Sequence, residues 1–265
     1  MKKLYLIILI ILCMMNISCN EEKKIELTTI PDKNYSFYTC VKIINLADQE
    51  ELLFLFDTGS YYNFIFGEYE NTERVLTFRF DNYRDIFNEN FICMRPENDF
   101  HIDGVLGIKF LEKFKIVEFD FMNNKIILNA KKNKGKGLKY NKLLFEVESQ
   151  DYELSYLITL PVYYSENNFC HLIFDTGFAC NEKAIIIKNK GIFQGEDFDK
   201  NSRIKKLRIG KQIWESIPVI NFSEANMVYS TFLQYCNDDF GCISPNFFQN
   251  NRVQIDFNND LLFIN

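Results

Sequence analysis

Two segments of the chain place an aspartate at the end of an apolar run, and together they suggest a pair of catalytic carboxylates. The first is LLFLFDTGS (52–60), with Asp57, and the second is HLIFDTGFA (171–179), with Asp175. An ionised carboxylate at the end of a buried strand is costly unless it is paired or hydrogen-bonded. Two such carboxylates that meet can share one proton, bind a water, and act in turn as general base and general acid.

The sequence around the two aspartates is also repeated. Upstream, FYTCVKIIN (37–45) parallels LITLPVYYS (157–165), and each is a strand pattern that precedes the strand leading to the aspartate. Downstream, residues 103–128 parallel residues 239–264 through a glycine, apolar residues, a turn of helix, a strand containing Asp-Phe and an Asn-rich turn. The match in order and residue type predicts two similar domains related by duplication.

The elements that position these segments are predicted to be strands. Residues 74–83 and 207–222 are rich in β-formers, and the second stretch predicts a hairpin that turns at Gly210. Only the short stretches 107–114 and 244–251 have a helical pattern. We therefore expect two small, mostly antiparallel β-domains.

The repeated pattern resembles the aspartic peptidase superfamily, and specifically bacterial retropepsin-like domains. The DTG tripeptide at 57–59 pairs with Val105-Leu106-Gly107, and the one at 175–177 pairs with Cys242-Ile243-Ser244. Two copies in one chain imply a pepsin-like arrangement, an all-β fold of two acid-protease-type β-barrel lobes with short helices. The resemblance implies that Asp57 and Asp175 are the catalytic dyad of an aspartic endopeptidase.

Supporting roles are implied for the residues that follow each aspartate. Thr58 and Thr176 would hold the two loops together through bonds from hydroxyl to backbone, and Gly59 and Gly177 would offer their N–H groups to the carboxylates. The hydroxyl of Ser60 would bond the outer carboxylate oxygen.

The second copy departs from this pattern at two positions. Phe178 stands where the first copy has Ser60, and Ser244 stands where the first copy has Gly107, so that a Cβ is expected to crowd the neighbouring loop. These departures support an alternative function, a non-catalytic peptide- or glycan-binding lipoprotein on the same scaffold. A purely structural envelope protein is a third hypothesis.

The resemblance also implies hairpin flaps over an extended peptide substrate. Residues 77–87 and 207–216 are the candidate flaps, since both contain aromatic residues beside polar turns. The expected partner is therefore a peptide or protein bound through its backbone in an apolar cleft.

The amino terminus has the pattern of an export signal. Lys2 and Lys3 precede an apolar stretch at 4–15, and Ser18-Cys19 resembles a bacterial lipoprotein cleavage site, at which Cys19 becomes lipidated. The alternative is an ordinary cleaved signal with an unmodified cysteine. The first hypothesis predicts a protein anchored by lipid to the cell envelope, either periplasmic or exposed at the surface.

The predicted organisation has five parts: a signal peptide (1–18), a tether (19–25), a first lobe (26–130), a solvated lysine-rich linker (131–142) and a second lobe (143–265). With two lobes in one chain, we expect a monomer that is an intramolecular pseudo-dimer.

Composition narrows the function further. Apolar residues make up 47% of the chain, which excludes general disorder, and the net charge of −6 is spread without a basic stripe for nucleic acid. With no C-x-x-C pair and only two histidines, His101 and His171, we expect no metal site, no cofactor and no Ser-His pair. Six cysteines lie outside the signal and position 19, an even number consistent with export, and their pairing is left open: Cys40, Cys93, Cys170, Cys180, Cys236 and Cys242.

Overall fold

The computed structural model describes residues 23–30, 39–67, 72–95, 101–145, 155–166, 168–177, 183–187, 203–221 and 241–265. Within these ranges the regular secondary structure is almost all β-strand, with very little helix, as the sequence predicts. The strands are β1 (Ile25–Thr28), β2 (Cys40–Asn45), β3 (Glu51–Phe56), β4 (Phe64–Phe66), β5 (Glu73–Phe80), β6 (Ile86–Met94), β7 (Gly104–Leu106), β8 (Ile116–Asp120), β9 (Lys125–Leu128), β10 (Leu138–Lys139), β11 (Asn141–Phe145), β12 (Ser155–Tyr163), β13 (Phe169–Phe174), β14 (Ile185–Ile187), β15 (Arg203–Ile209), β16 (Gln212–Asn221), β17 (Gly241–Ile243), β18 (Arg252–Asp256) and β19 (Leu261–Ile264).

Two short helices follow the strands β7 and β17. Helix α1 (Ile108–Leu111) and a 3₁₀ helix (Pro245–Phe248) lie inside the two stretches whose sequence has a helical pattern. Each helix is only one turn long, and its apolar side chains are buried in the core. The helices thus pack against the sheets and do not form a layer of their own.

Strands β2 to β7 form a closed barrel in the order β2-β3-β7-β4-β6-β5. Alternation of apolar and polar residues explains how the hairpin β5–β6 closes it, because Leu76, Phe78 and Phe80 point inward and are buried. We call this unit the first barrel.

Strands β11 to β17 form a seven-stranded sheet in the order β11-β12-β13-β17-β14-β16-β15, which we call the second sheet. An additional pairing joins β15 back to β12, so that six of these strands form a ring. The predicted hairpin is confirmed, since Gly210 turns the chain between β15 and β16 with a φ of +58°. Glycine suits this position because it adopts positive φ without steric cost.

The second sheet repeats every strand pairing of the first barrel. The antiparallel pairs β2–β3, β4–β7, β5–β6 and β2–β5 correspond to β12–β13, β14–β17, β15–β16 and β12–β15. The parallel pairs β3–β7 and β4–β6 correspond to β13–β17 and β14–β16. The two halves of the sequence therefore share one connectivity.

A third sheet, in the order β1-β9-β8-β18-β19-β10, takes strands from both halves of the chain. Strands β8 and β18 pair directly across the halves, and Arg252 Nε lies 2.9 Å from Oδ2 of Asp120 in that pair. Both buried aspartates that end these strands accept a hydrogen bond from a turn asparagine, Asp120 from Asn123 and Asp256 from Asn259. The repeated Asn-rich turns thus make the sharp bends predicted for them.

One continuous apolar core extends through both halves and the third sheet. The predicted linker 131–142 is less separate than its composition suggests, because β10 and the first residues of β11 lie within it. Gln254 also binds the linker. The Oε1 atom of Gln254 accepts a hydrogen bond from the N–H of Asn133, and its Nε2 atom donates one to the carbonyl of Lys131. Its lysines are nevertheless exposed.

The cysteines within the described ranges do not form disulfides. Cys40, Cys93, Cys170 and Cys242 are thiols, whereas Cys180 and Cys236 lie outside those ranges. The even count is therefore not explained by pairing among these four. Residues 1–22, with Cys19 and the predicted signal, also lie outside the described ranges, and no helix within those ranges is long and apolar enough to cross a membrane.

Candidate active site

Asp57 and Asp175 occupy equivalent positions in the two halves. Strand β3 ends at Phe56 and delivers Asp57, whose N–H donates to the carbonyl of Leu106 at 3.0 Å. Strand β13 delivers Asp175 in the same way, and its N–H lies 3.4 Å from the carbonyl oxygen of Ile243. Each aspartate is therefore held between its own strand and the short parallel strand beside it.

Thr58 and Thr176 connect the two aspartate loops through four reciprocal hydrogen bonds. The N–H of each threonine donates to the hydroxyl oxygen of the other at 3.0 Å. Each hydroxyl then donates to a carbonyl in the opposite half, Thr58 to Phe174 at 2.6 Å and Thr176 to Phe56 at 2.9 Å. Both threonines are fully buried, so these bonds are shielded from water and fix the two loops to each other.

The two glycine N–H groups bring the carboxylates together. Gly59 donates to Oδ1 of Asp57 at 2.7 Å, and Gly177 donates both to Oδ1 of Asp175 at 2.9 Å and to Oδ1 of Asp57 at 3.1 Å. Because one nitrogen lies at 2.9 Å and 3.1 Å from these two oxygens, the oxygens are at most 6.0 Å apart. A side-chain hydrogen bond from Asp175 also lowers the pKa of the Asp57 carboxyl.

Only glycine fits at these two positions. A Cβ on Gly59 would lie 2.3 Å from Cγ of Asp175, and a Cβ on Gly177 would lie 2.3 Å from Cγ of Asp57. The glycines are therefore required for the close approach of each loop to the opposite carboxyl group.

The two carboxyl groups differ in exposure. Asp57 is 3% exposed, whereas Asp175 is only partly buried. Burial raises the pKa of the Asp57 carboxyl, and the bonds it receives from Asp175, Gly59 and Gly177 lower that pKa by less. Two carboxyl groups this close favour one shared proton, because the charge of the first ionised group opposes ionisation of the second.

The predicted role of Ser60 is wrong in this structure. Its hydroxyl donates to the carbonyl of Tyr62 at 2.8 Å, which directs the hydroxyl along its own loop and not to the carboxylate. Phe178, its counterpart, lies outside the described ranges.

Ser244 and Gly107 show how the second copy differs. A Cβ on Gly107 would lie 2.4 Å from the carbonyl oxygen of Tyr62 and 2.8 Å from that of Ser60, so no side chain fits there. Ser244 is fully buried with a φ of −74° and ψ of 155°, an extended backbone that any residue adopts. The second half therefore accommodates a Cβ at the position where the first half excludes one.

The two hairpins predicted as flaps have another position. The turn of the first (77–87) is anchored on β1 by Tyr83, whose hydroxyl donates to the carbonyl of Glu26 and accepts from its N–H, at 2.6 and 2.8 Å. In the second (207–216), Trp214 packs against the ring of Phe247. Both hairpins close their own ring of strands, by pairing with β2 and β12, and so the flap prediction was wrong for each.

Two buried polar residues support the site although their sequence context does not reveal them. The Oδ1 atom of Asn63 accepts the N–H of Gly107 at 3.0 Å, which ties the loop after Asp57 to the end of β7. The hydroxyl of Thr39 donates to the carbonyl of Phe56 at 2.8 Å. Asn63 stands immediately before the short apolar strand β4, but this position alone does not predict its bond to Gly107.

No protein-family model matches this chain, and no curated protein sequence matches it.

Proposed function

We propose that this chain is an aspartic endopeptidase whose two halves are duplicated retropepsin-like lobes. The proposal is carried by the pair Asp57 and Asp175, because the N–H of Gly177 donates to both carboxyl groups and so holds them side by side. The repeated strand pairings and the threonine contacts between the loops agree with it.

In the proposed reaction the two carboxyl groups share one proton and hold a water between them. The ionised group takes a proton from this water as it attacks the peptide carbonyl carbon, and a proton from the dyad then passes to the departing amine nitrogen. The N–H groups of Gly59 and Gly177 stay on the carboxylate oxygens and keep both groups oriented. The substrate is an extended peptide, bound mainly through its backbone.

The test is peptide cleavage by the wild-type chain and by the variants Asp57→Asn and Asp175→Asn, with and without a pepstatin-type inhibitor. We expect a bell-shaped pH profile on the acid side of neutrality, because activity needs one ionised and one protonated carboxyl group. Each substitution should lower turnover about a thousand-fold or more, since the two groups act as a unit. The exposed turn residue Asp48 provides the control variant, Asp48→Asn, which should keep full activity.

Cleavage that survives both aspartate substitutions would assign the activity to another site. A second candidate function, binding of peptides or glycans without turnover, is favoured by the Ser60 hydroxyl, which leaves Asp57 without the bond that the resemblance implies. No cleavage by the wild type, together with saturable peptide or glycan binding in calorimetry, would support that second function.

We also propose export and lipid attachment at Cys19. Incorporation of a labelled fatty acid into the expressed protein, and its loss in Cys19→Ser, tests this proposal. If the exported wild-type protein is cleaved but carries no fatty acid, an ordinary signal peptide with an unmodified cysteine is favoured.

A further inference from the structure

A row of side chains crosses four strands on the outer face of the second sheet. Phe169 on β13 is paired with Tyr163 on β12, Tyr163 with Arg208 on β15, and Arg208 with Ile213 on β16. Residues directly opposite in antiparallel strands point to the same side of the sheet. Leu207, the neighbour of Arg208, is fully buried, so the row points to solvent.

The row combines three apolar or aromatic side chains with one cation, and it is accessible at its two ends. The side chains at its two ends, Phe169 and Ile213, are each 50% exposed. The rings of Tyr163 and Phe169 lie 5.4 Å apart, and the guanidinium carbon of Arg208 lies 4.0 Å from the centroid of the Tyr163 ring. Contiguous exposed apolar side chains of this kind mark interaction sites more often than scattered ones do.

The hairpin that carries half of this row is strongly basic. Residues 203–221 contain five cations, Arg203, Lys205, Lys206, Arg208 and Lys211, against one carboxylate, Glu215. Lys205, Lys206 and Lys211 are exposed. The whole chain has a net charge of −6, so this hairpin concentrates positive charge on an otherwise acidic protein.

We propose that this row and the basic hairpin form a docking face for an anionic lipid bilayer. Aromatic and aliphatic side chains that stand out from a sheet enter the headgroup region, while the lysines and arginines around them pair with lipid phosphates. Charge complementarity with the five cations of the hairpin selects a surface that is anionic. This inference needs neither the peptidase activity nor the lipid on Cys19.

Co-sedimentation with vesicles tests the proposal. The sample for this assay is the chain from Glu21 onward, which keeps every described strand because β1 starts at Ile25. It should sediment with vesicles of phosphatidylglycerol mixed with phosphatidylcholine, and not with phosphatidylcholine alone. Binding should weaken in high salt, because the Debye length falls from about 10 Å at 0.1 M to about 3 Å at 1 M.

Variants separate the two parts of the face. Lys206→Gln with Arg208→Gln should lower partitioning about 30-fold, because each cation near an anionic surface contributes about five-fold. Phe169→Ser with Ile213→Ser should lower it about ten-fold or more through lost apolar burial.

Matched controls lie on other faces of the molecule. Lys134→Gln with Lys136→Gln removes two exposed cations, and Val75→Ser with Ile86→Ser removes two apolar side chains that are 59% and 63% exposed. Both control pairs should bind vesicles as the wild type does. An equal loss of vesicle binding in the control variants and the face variants would overturn the proposal, and so would the absence of a preference for anionic vesicles. Binding to an acidic polymer such as polyglutamate or RNA, without binding to vesicles, would overturn it as well.

Discussion

Replacing Asp57 by Asn should make the protein more stable than the wild type as the pH rises. Oδ1 of an asparagine still accepts the N–H groups of Gly59 and Gly177, and its amide can donate to Asp175, so the contacts of the buried side chain are retained. What changes is the proton. Burial raises the pKa of Asp57 above its ordinary value of 3.8, so the folded protein keeps a proton that the unfolded chain releases.

The sign and size of the effect follow from proton linkage. Between pH 3.8 and the raised pKa the folded state binds more protons than the unfolded state, so wild-type stability falls as the pH rises. The variant lacks this titration, and its stability relative to the wild type should rise by up to about 1.4 kcal/mol per pH unit. Each 1 kcal/mol of this difference corresponds to about 2–4 °C in melting temperature for a protein of this size.

Urea denaturation between pH 4 and 7 measures the difference through the fluorescence of Trp214, the only tryptophan. Trp214 packs against Phe247 and Phe248, so its emission reports loss of the core. Glu73→Gln, at an exposed position on β5, is the control and should show no such slope. A stability difference that stays constant with pH, or that favours the wild type at higher pH, would refute a proton held at the buried dyad.

Three further substitutions or modifications test neighbouring contacts. Gly59→Ala should abolish cleavage and destabilise the fold by about 1–3 kcal/mol, because its Cβ meets the facing carboxyl carbon, whereas Gly67→Ala, with nothing within 4 Å, should be neutral in both assays. Thr58→Val should lower the free energy of unfolding in urea by about 2–5 kcal/mol, because it leaves a buried N–H and a buried carbonyl without partners. The control Thr77→Val, on an exposed strand face, should lower it by less than about 1 kcal/mol. Burial raises the pKa of Cys170 to about 12. At pH 8 iodoacetamide should therefore alkylate Cys170 about a thousand-fold more slowly in the folded protein than in the urea-unfolded protein, as measured by peptide mass spectrometry. Equal rates in the two states would contradict the burial of this thiol.

The positions of the two aspartates could be predicted because the relevant information is local. An apolar strand that ends in Asp-Thr-Gly specifies a buried strand, an acid and a tight turn within nine residues, and the second copy repeats it. The structure brings Asp57 and Asp175 into contact and places Thr58 and Thr176 between the halves, as expected.

Other features could not be read from the sequence because they depend on distant partners. The role of Asn63 requires the N–H of Gly107, which is 44 positions away and carries no side-chain signal. A hairpin with alternating apolar residues reads the same whether it covers a cleft or closes a barrel, and only its pairing with β2 or β12 separates these cases. The direction of the Ser60 hydroxyl depends on where its own loop places the Tyr62 carbonyl.

The dyad lies where two halves of the chain meet, so its geometry depends on every contact that fixes the halves. Besides the threonines, the hydroxyl of Tyr156 donates to Oε2 of Glu112 at 2.8 Å, and that of Ser155 donates to Oη of Tyr62 at 2.7 Å. Burial and the Glu112 carboxylate raise the pKa of Tyr156, which keeps this phenol a donor. The described contacts between the halves include hydrogen bonds, a sheet with strands from both halves, and apolar packing. A small shift of one half would therefore break several of these contacts at once. Each half alone presents one carboxyl group without its partner, and only the assembled pair can share the proton that the proposed activation of water requires.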